Sequence, residues 1–228
     1  MEKLARSLLE ELNVETVFTI PLFGGIPVSE SVVVTWIAMA VLIVIAFLLG
    51  RNLKVRNPGK RQQIAELIVL KLDAFTKKTL GEEATEYSTY MAVVLLFIGF
   101  VNLIGVFGFK PPTKDLNVPA ALALMSIVLV EVAGIRAHGT GGWLKGFAKP
   151  MVILTPINIL EIFIRPLSLC MRLFGNVLGA FVIMELVKLV VPVGVPAILS
   201  LYFDVFDGLI QAYVFVFLTS LYISEAVE

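Results

Sequence analysis

Charged side chains are scarce in this chain. They make up 16% of its residues and hydrophobic side chains make up 58%, whereas a soluble domain carries about 25% charged residues. Acidic and basic residues number 18 each, so the net charge is zero and nothing indicates a nucleic-acid partner. The composition therefore predicts an integral membrane protein.

The chain also has a single cysteine and no nucleotide-binding motif. Cys170 is the single cysteine, which excludes an intrachain disulfide framework and a cysteine metal site. Because the sequence has no Gly-x-x-x-x-Gly-Lys-Ser/Thr loop, nucleotide chemistry is assigned to other chains. No internal repeat is evident, which disfavours a transporter built from two related halves. We predict no catalytic residue, no cofactor and no bound metal.

Five apolar stretches are long enough to cross a bilayer as helices. They cover residues 32–50, 88–109, 116–134, 156–191 and 196–224. A secretory signal is disfavoured for the first stretch, because no small-residue cleavage site follows it. The fourth stretch is longer than a perpendicular span needs, and Pro166 offers a bend within it. We predict an all-α integral membrane protein whose last two helices are long and tilted.

Basic residues set the predicted orientation. A cluster directly after the first stretch is expected to stay in the cytoplasm, and it consists of Arg51, Lys54, Arg56, Lys60 and Arg61. Residues 136–149 are predicted to form a cytoplasmic loop, because they contain four glycines and three basic residues. The short, charge-balanced segment 110–115 is predicted to be an external turn. The N-terminus is then outside and the C-terminus is cytoplasmic, in what we take to be a bacterial plasma membrane.

Residues 60–78 have a different pattern from the membrane stretches. The apolar side chains Ile64, Leu67, Ile68 and Phe75 share one side, and charged residues occupy the rest. This pattern predicts a helix along the cytoplasmic membrane surface. Residues 1–28 are assigned to an external N-terminal segment, and residues 29–228 to a single polytopic membrane domain.

Arg172 lies within the apolar fourth stretch. Its guanidinium cannot lose its proton, and placing it at mid-bilayer costs about 2.5 to more than 10 kcal/mol. On a helix it shares a polar face with Glu161, Arg165, Ser168, Asn176 and Gly179. Glu161 and Arg165 can also form an ordinary i,i+4 ion pair. The small residues Gly175 and Gly179 suit close approach of another helix or of a moving partner.

The last stretch has a polar stripe of its own. Asp204, Gly208 and Gln211 are spaced i, i+4 and i+7, and Asp207 lies beside them. An ionised carboxylate in an apolar membrane helix costs free energy unless it faces water or another such group. Asp204 can alternatively be an interfacial residue with no further role. Glu185 and Lys188 lie roughly opposite Arg172 on the fourth helix. The simplest interpretation of these two residues is an i,i+3 ion pair with each other. His138 is expected to be solvated.

The segment Arg-Leu-Phe-Gly-Asn at 172–176, preceded by Arg-Pro-Leu-Ser-Leu at 165–169, resembles the signature of subunit a of F-type ATP synthases. Three further features agree: the external turn with Pro-Pro-Thr at 111–113 and Asp-Leu-Asn at 115–117, Gln-Ala at 211–212, and the order of the apolar stretches. The resemblance covers the whole chain. It implies an ion-translocating stator subunit with two offset half-channels beside a rotating ring of c subunits.

The resemblance also implies partners and roles. Arg172 corresponds to the family's essential arginine, Asn176 to its neighbour on the channel face, and Gln211 to a last-helix residue near that arginine. The implied partners are the c-ring, the peripheral-stalk b subunits, membrane lipid and, indirectly, the soluble ATPase head. The full set of predicted ion-translocation residues is Arg172, Asn176, Gln211, Asp204, Glu161, Ser168, Asp115 and Glu185.

The sequence departs from the family at Phe181. Many members have a glutamate there, nine residues after the arginine, whereas Asp204 stands where relatives carry Glu or His. The outer access is therefore expected near Asp204 and Asp115, with Glu185 as an alternative acid, and the inner access near Glu161.

Two other classes of protein remain as alternatives. A self-contained secondary ion or solute transporter would use Arg172 to bind an anion, and the purified chain alone would then transport. A membrane scaffold leaves Arg172, Asp204 and Gln211 unexplained.

Overall fold

Long apolar helices dominate the computed structural model, which describes residues 16–21, 26–107, 111–147, 152–191 and 194–228. The helices are α1 (Glu30–Gly50), α2 (Lys60–Leu80), α3 (Ser88–Leu103), α4 (Asn117–Gly146), α5 (Thr155–Val190), α6 (Val195–Ser200) and α7 (Gly208–Val227). Short 3₁₀ turns cover Thr85–Tyr87, Ile104–Phe107, Pro112–Lys114 and Val152–Leu154, and a π-helical segment covers Leu201–Asp207.

Five helical stretches of the described chain are long and apolar enough to cross a membrane. They are Glu30–Gly50, Thr85–Val106, Asn117–Gly146, Thr155–Lys188 and Ile198–Val227. The prediction of an all-α membrane protein with five spans is confirmed. α5 is helical across Pro166, and at 1.5 Å per residue it is about 54 Å long. Because the hydrocarbon core is about 30 Å thick, a helix of this length must tilt or extend beyond it.

A small β-hairpin precedes α1, and the sequence did not predict it. Strand β1 (Thr16–Ile20) pairs antiparallel with β2 (Ile26–Ser29), with Phe18 opposite Val28. β-branched and aromatic residues favour this pairing, but each strand is short and its apolar pattern is weak. Val28 is buried, so the hairpin is anchored to the rest of the chain.

α2 is fixed to the membrane helices at its C-terminal half. The hydroxyls of Thr76 and Ser88 lie 2.8 Å apart, and Ser88 donates a second 2.8 Å hydrogen bond to Asp73. An ion pair with Lys77 and this bond from Ser88 hold the pKa of the Asp73 carboxyl below its ordinary value. Phe75 packs against Tyr213, with 5.3 Å between ring centroids.

The predicted apolar face of α2 is divided. Phe75 joins the core, whereas Ile64, Leu67 and Ile68 are exposed because the N-terminal half of α2 extends beyond the bundle. α2 is not among the candidate spans of the described chain. Its position along a cytoplasmic surface stays a prediction.

The predicted loop at 136–149 is wrong where the structure describes it. α4 continues to Gly146 and only breaks at Gly139, whose φ of 71° and ψ of 164° suit glycine alone. The indole of Trp143 donates a 2.8 Å hydrogen bond to the Glu131 carboxylate across this break. That contact and the tolerance of helices for isolated glycines explain why the chain stays helical.

The buried core lies among α3, α4, α5 and α7. Its largest fully buried side chains include Met91, Ile98, Leu173, Phe215 and Ile223. α1 contributes little to this core, because Ala38 is its one buried residue. A helix this apolar and this exposed suits a lipid environment.

Candidate functional site

Arg172 lies on the uncovered side of α5. Leu169, Cys170 and Leu173 bury the other side in the core, whereas Arg172 is half-buried and Asn176 is exposed. Within the described part of the chain, Arg172 has no ion pair or hydrogen bond. A permanent charge on an open face of a membrane helix needs an acidic or polar partner, which the described residues do not supply.

The two glycines beside Arg172 face the same open side. A methyl group placed on Gly175 or Gly179 would meet no other atom within 4 Å. No described helix of this chain therefore uses these glycines for close packing, which leaves this face of α5 free for an external partner.

A hydrogen bond joins the polar stripes of α5 and α7 one turn from Arg172. The Asn176 amide donates to the Gln211 side-chain oxygen at 2.6 Å, and Gln211 is only 3% exposed. The sequence predicted both residues, and the structure brings them together. The resemblance implied that Gln211 packs near the arginine, but its recorded partner is Asn176.

A small cavity of about 30 Å³ opens beside Gln211. It is lined by Asn102, Pro111, Val177, Ala180, Phe203, Asp204, Asp207, Gly208 and Gln211. We call it the small cavity. Its two carboxylates and two amides supply polar partners for a water molecule or an ion, and its volume suffices for one water.

Asp204 is held in this site by close packing. Ser200 donates to its carboxylate at 2.5 Å. A methyl group on Gly105 would lie 2.9 Å from one Asp204 carboxylate oxygen, so only glycine leaves room for this rotamer. Sequence reasoning missed Gly105, because a glycine in an apolar stretch gives no sign of what it contacts.

Asn102 supports the helix junction at the floor of the small cavity. Its amide donates to the Gly208 carbonyl at 3.0 Å and accepts from the Thr113 hydroxyl at 3.1 Å. Gly208 begins α7 directly after the π-helical segment, and π-turns are frequent at functional sites. Asn102 is a polar residue in an apolar span, a pattern that indicates a functional site, and it was not among the residues predicted from the sequence.

A second, larger cavity of about 470 Å³ lies near the N-terminal end of α5. Its polar and aromatic lining includes Glu131, His138, Trp143, Asn158, Glu161, Arg165, Glu225 and Glu228. We call it the large cavity. His138 is exposed here, as expected.

The predicted local pair of Glu161 and Arg165 forms within the large cavity. Arg165 bonds Glu161 at 2.8 Å and Glu225 of α7 at 3.1 Å, and its guanidinium stacks 4.9 Å from the Tyr222 ring. Arg165 is thus neutralised by two carboxylates, whereas the described residues provide no ion pair for Arg172.

Arg172 lies between the two cavities along α5. Arg165 in the large cavity is two turns away and Val177 in the small cavity is just over one turn away in the other direction, distances of about 10 and 8 Å along the axis. Apolar residues fill most of α7 between Gln211 and Glu225. The two cavities share no lining residue, and Arg172 lies between them along α5.

The remaining predicted residues are placed differently. Asp115 is 3% exposed, accepts hydrogen bonds from Ser29 and Asn117, and lines neither cavity. Its recorded contacts tie the start of α4 to the end of the hairpin. Ser168 is half-buried and also lines neither cavity. The side chain of Glu185 lies outside the described part of the structure.

The described chain forms a five-span helical bundle with two cavities, and between them along α5 lies an arginine with no ion pair among the described residues. These features are typical of an integral membrane protein that transports ions. The family model described as ATP synthase A chain matches residues 32–224, and the chain belongs to this family. It is accordingly a subunit of the membrane sector of ATP synthase.

Individual relatives agree with the family assignment. The chain is 35% identical over 219 residues to "ATP synthase subunit a, sodium ion specific" of Propionigenium modestum, covering 89% of this chain and 75% of the relative. It is 36% identical over 206 residues to "ATP synthase subunit a" of Moorella thermoacetica, covering 90% of this chain and 94% of the relative. The chain is 34% identical over 209 residues to "ATP synthase subunit a 2" of a Bradyrhizobium strain, covering 90% of this chain and 91% of the relative.

Proposed function

We propose that this chain is the ion-translocating stator subunit of an F-type ATP synthase. Its two cavities are the stator ends of two offset half-channels, which load and unload the carboxylates of a rotating c-ring. The position of Arg172 along α5, between two cavities that both contain carboxylates, is the observation that carries this proposal. The chain is a non-catalytic subunit, and ATP chemistry takes place in the soluble head.

The charge of Arg172 separates the two half-channels. A rotor carboxylate that has lost its ion is attracted to the guanidinium, which lowers the carboxylate's affinity for a proton or metal cation. The same charge repels cations that would otherwise pass directly from one cavity to the other. Ion flow is then coupled to rotation, and each charge that crosses supplies about 2.3 kcal/mol per 100 mV.

The open face of α5 supports contact with the ring. Arg172, Gly175, Asn176 and Gly179 share one face of α5, where a methyl group on either glycine would meet no atom within 4 Å. A passing rotor helix can approach such a surface closely. The b subunits and lipid cover other surfaces of the chain, among which the apolar α1 suits lipid.

The proposed orientation follows the distribution of basic residues. The basic cluster after α1 supports a cytoplasmic position for the end of α1, and we assign the large cavity to the inner access and the small cavity to the outer access. The N-terminus is then outside and the C-terminus is cytoplasmic. In this orientation Asp204 and Asp207 receive ions on the outside, and Glu161 faces the cytoplasmic side.

Purification and reconstitution test this proposal. Mild extraction with a tag on this chain should co-purify a ring of small hairpin proteins and a soluble ATPase, and vesicles with the whole complex should couple ion flux to ATP. Vesicles containing the chain alone should show no flux under an imposed potential of about 100 mV. Saturable transport by the isolated chain, with no ring co-purified, would instead identify a self-contained secondary transporter.

A further inference from the structure

Five basic side chains lie close in sequence where the chain passes from α1 into α2. They are Arg51, Lys54, Arg56, Lys60 and Arg61, and all five are exposed. We call residues 51–61 the basic loop, which contains no acid. Among the described residues none of the five has an ion pair, and the nearest acid along α2, Glu66, accepts a 2.7 Å hydrogen bond from Gln62. The positive charge of the loop is therefore uncompensated by the described part of the chain.

Hydrogen bonds from α2 fold the basic loop back onto the helix. The Lys54 backbone amide donates to the Gln62 side-chain oxygen at 2.8 Å, and the Gln62 side-chain amide donates to the Lys54 carbonyl at 3.0 Å. The next residue, Gln63, donates to the Pro58 carbonyl at 3.0 Å. These bonds use the backbone of the loop, so its basic side chains stay free while the loop is held at the N-terminal end of α2.

The first turn of α2 adds to this positive charge. It contains Lys60 and Arg61 but no acid, and the N-cap residue Gly59 makes no side-chain hydrogen bond to the helix. The N-terminal end of a helix is the positive end of its dipole, and its first N–H groups need acceptors. Both features favour an anion at this end of α2, and phosphate groups bind at such helix ends and to basic side chains.

Exposed apolar side chains continue from the basic loop along α2. Ile64, Leu67 and Ile68 are all exposed. Ile64 and Ile68 share a helix face with Phe75, because the three are spaced i, i+4 and i+11. Phe75 packs against Tyr213, which belongs to a candidate membrane span. The face of α2 that contacts a membrane span near its C-terminus is therefore uncovered near its N-terminus, next to the basic loop.

We propose that the basic loop and the start of α2 form a binding surface for the anionic phospholipids of the cytoplasmic leaflet. The inference rests on the proposed function, whose orientation puts the end of α1 in the cytoplasm. The basic side chains and the helix end bind lipid phosphates, while Ile64, Leu67 and Ile68 enter the boundary between headgroups and acyl chains. Because the apolar face continues the surface that packs on a membrane span, lipid suits it better than a soluble protein does.

Fluorescence quenching in the whole ATP synthase tests this surface. Leu67→Cys carries a bimane label in a complex whose other cysteines, including Cys170, are replaced. The vesicles contain phosphatidylcholine and a minor fraction of phosphatidylglycerol, and a nitroxide quencher is attached to the acyl chains of either lipid at equal amounts. We expect the quenching to show about fivefold local enrichment of phosphatidylglycerol, which is what one basic residue near an anionic surface contributes. At about 1 M salt the enrichment should disappear, because the Debye length falls to about 3 Å.

Paired substitutions separate charge from packing. Arg56→Gln with Lys60→Gln removes two charges and leaves the recorded hydrogen bonds of the basic loop in place, so the enrichment should fall by about twofold or more. Arg56→Lys with Lys60→Arg keeps both charges and should retain the enrichment. Lys78→Gln with Lys145→Gln removes two exposed charges outside the loop and is the matched control, which should change nothing.

Two results would overturn the inference. Equal quenching by the two labelled lipids would show a lipid contact without preference for anionic headgroups. A label that neither lipid quenches would show that a protein partner covers the surface. Coupled ATP synthesis, measured in the same vesicles, reports on the proposed function separately: its absence in the wild type counts against the proposed function, whereas the quenching ratio reports on the lipid surface alone.

Discussion

At the scale of single residues, Arg172 and Arg165 show how the same side chain serves two purposes on one helix. Arg165 is neutralised by Glu161 and Glu225, so its burial is compensated within the chain. Arg172 has no such partner among the described residues, as the proposed attraction of a rotor carboxylate requires. The sequence indicated this contrast, because Arg165 has an acid one turn away and Arg172 has none.

Gly105 tests whether the position of the Asp204 carboxylate matters. Gly105→Ala places a methyl group 2.9 Å from a carboxylate oxygen, so Asp204 must leave its present rotamer. Overpacking of this kind costs about 1–3 kcal/mol. We expect ATP synthesis to fall several-fold while the amount of assembled complex is unchanged. Gly59→Ala, where a methyl group meets nothing within 4 Å, is the control, and equal rates in the two variants would count against a role for this rotamer.

Asp204 itself is the best candidate for the outer acid, because it lines the small cavity together with Gln211. Asp204→Asn removes the charge at nearly constant volume and keeps an acceptor for Ser200. We expect ion flux and ATP synthesis to fall by about tenfold or more, since positioned acid–base groups contribute at least that much. ATP hydrolysis by the detached soluble head should be unaffected. A wild-type rate in Asp204→Asn, combined with a stalled Glu185→Gln, would assign the access route to α5.

At the scale of elements, α4 shows that a glycine-rich composition alone does not predict a loop. Its glycine-rich end was predicted as a loop, yet it is helical on both sides of the break at Gly139. Tertiary contacts decide the outcome, because Trp143 reaches back to Glu131 and Asn158 bonds the Phe147 carbonyl. The segment thereby becomes one wall of the large cavity.

Gly139→Ala should disturb this wall. A side chain at φ 71° and ψ 164° is strained by about 1–3 kcal/mol. We expect a lower melting temperature of the complex and a red-shifted emission of Trp143, measured in a Trp36→Phe background because the chain has two tryptophans. Gly141→Ala, with open space around the new methyl group, is the matched control. Unchanged emission in Gly139→Ala would show that the break does not depend on glycine.

Other elements were predicted well where one strong physical signal dominates. Long apolar runs gave the five spans, and helical periodicity placed Arg172, Asn176 and Gly179 on one face of α5. The same periodicity on α7 cannot fix the register between two helices, so the pairing of Asn176 with Gln211 became visible only in three dimensions. The π-helical segment was equally hidden, and so was the hydrogen bond from Asn102 of α3 to the Gly208 carbonyl directly after it.

At the scale of the whole molecule, two cavities of different size and lining lie about 18 Å apart along α5 and make the protein asymmetric. The small cavity combines residues from α3, the external turn, α5 and α7, which are far apart in sequence. Sequence analysis named Asp204 and Gln211 for this site, but missed Asn102 and Gly105. It placed Asp115 in the channel, whereas its recorded bonds connect α4 and the hairpin, and its part in ion transfer stays a prediction.

The account's central claim is that the charge of Arg172 couples ion flow to rotation, and ATP synthesis by vesicles carrying Arg172→Ala tests it most directly. We predict assembled complexes with no coupled synthesis. Arg172→Lys should restore little, because a lysine lacks the planar guanidinium and can lose its proton in an apolar setting. Near-normal ATP synthesis in Arg172→Ala vesicles would contradict the account.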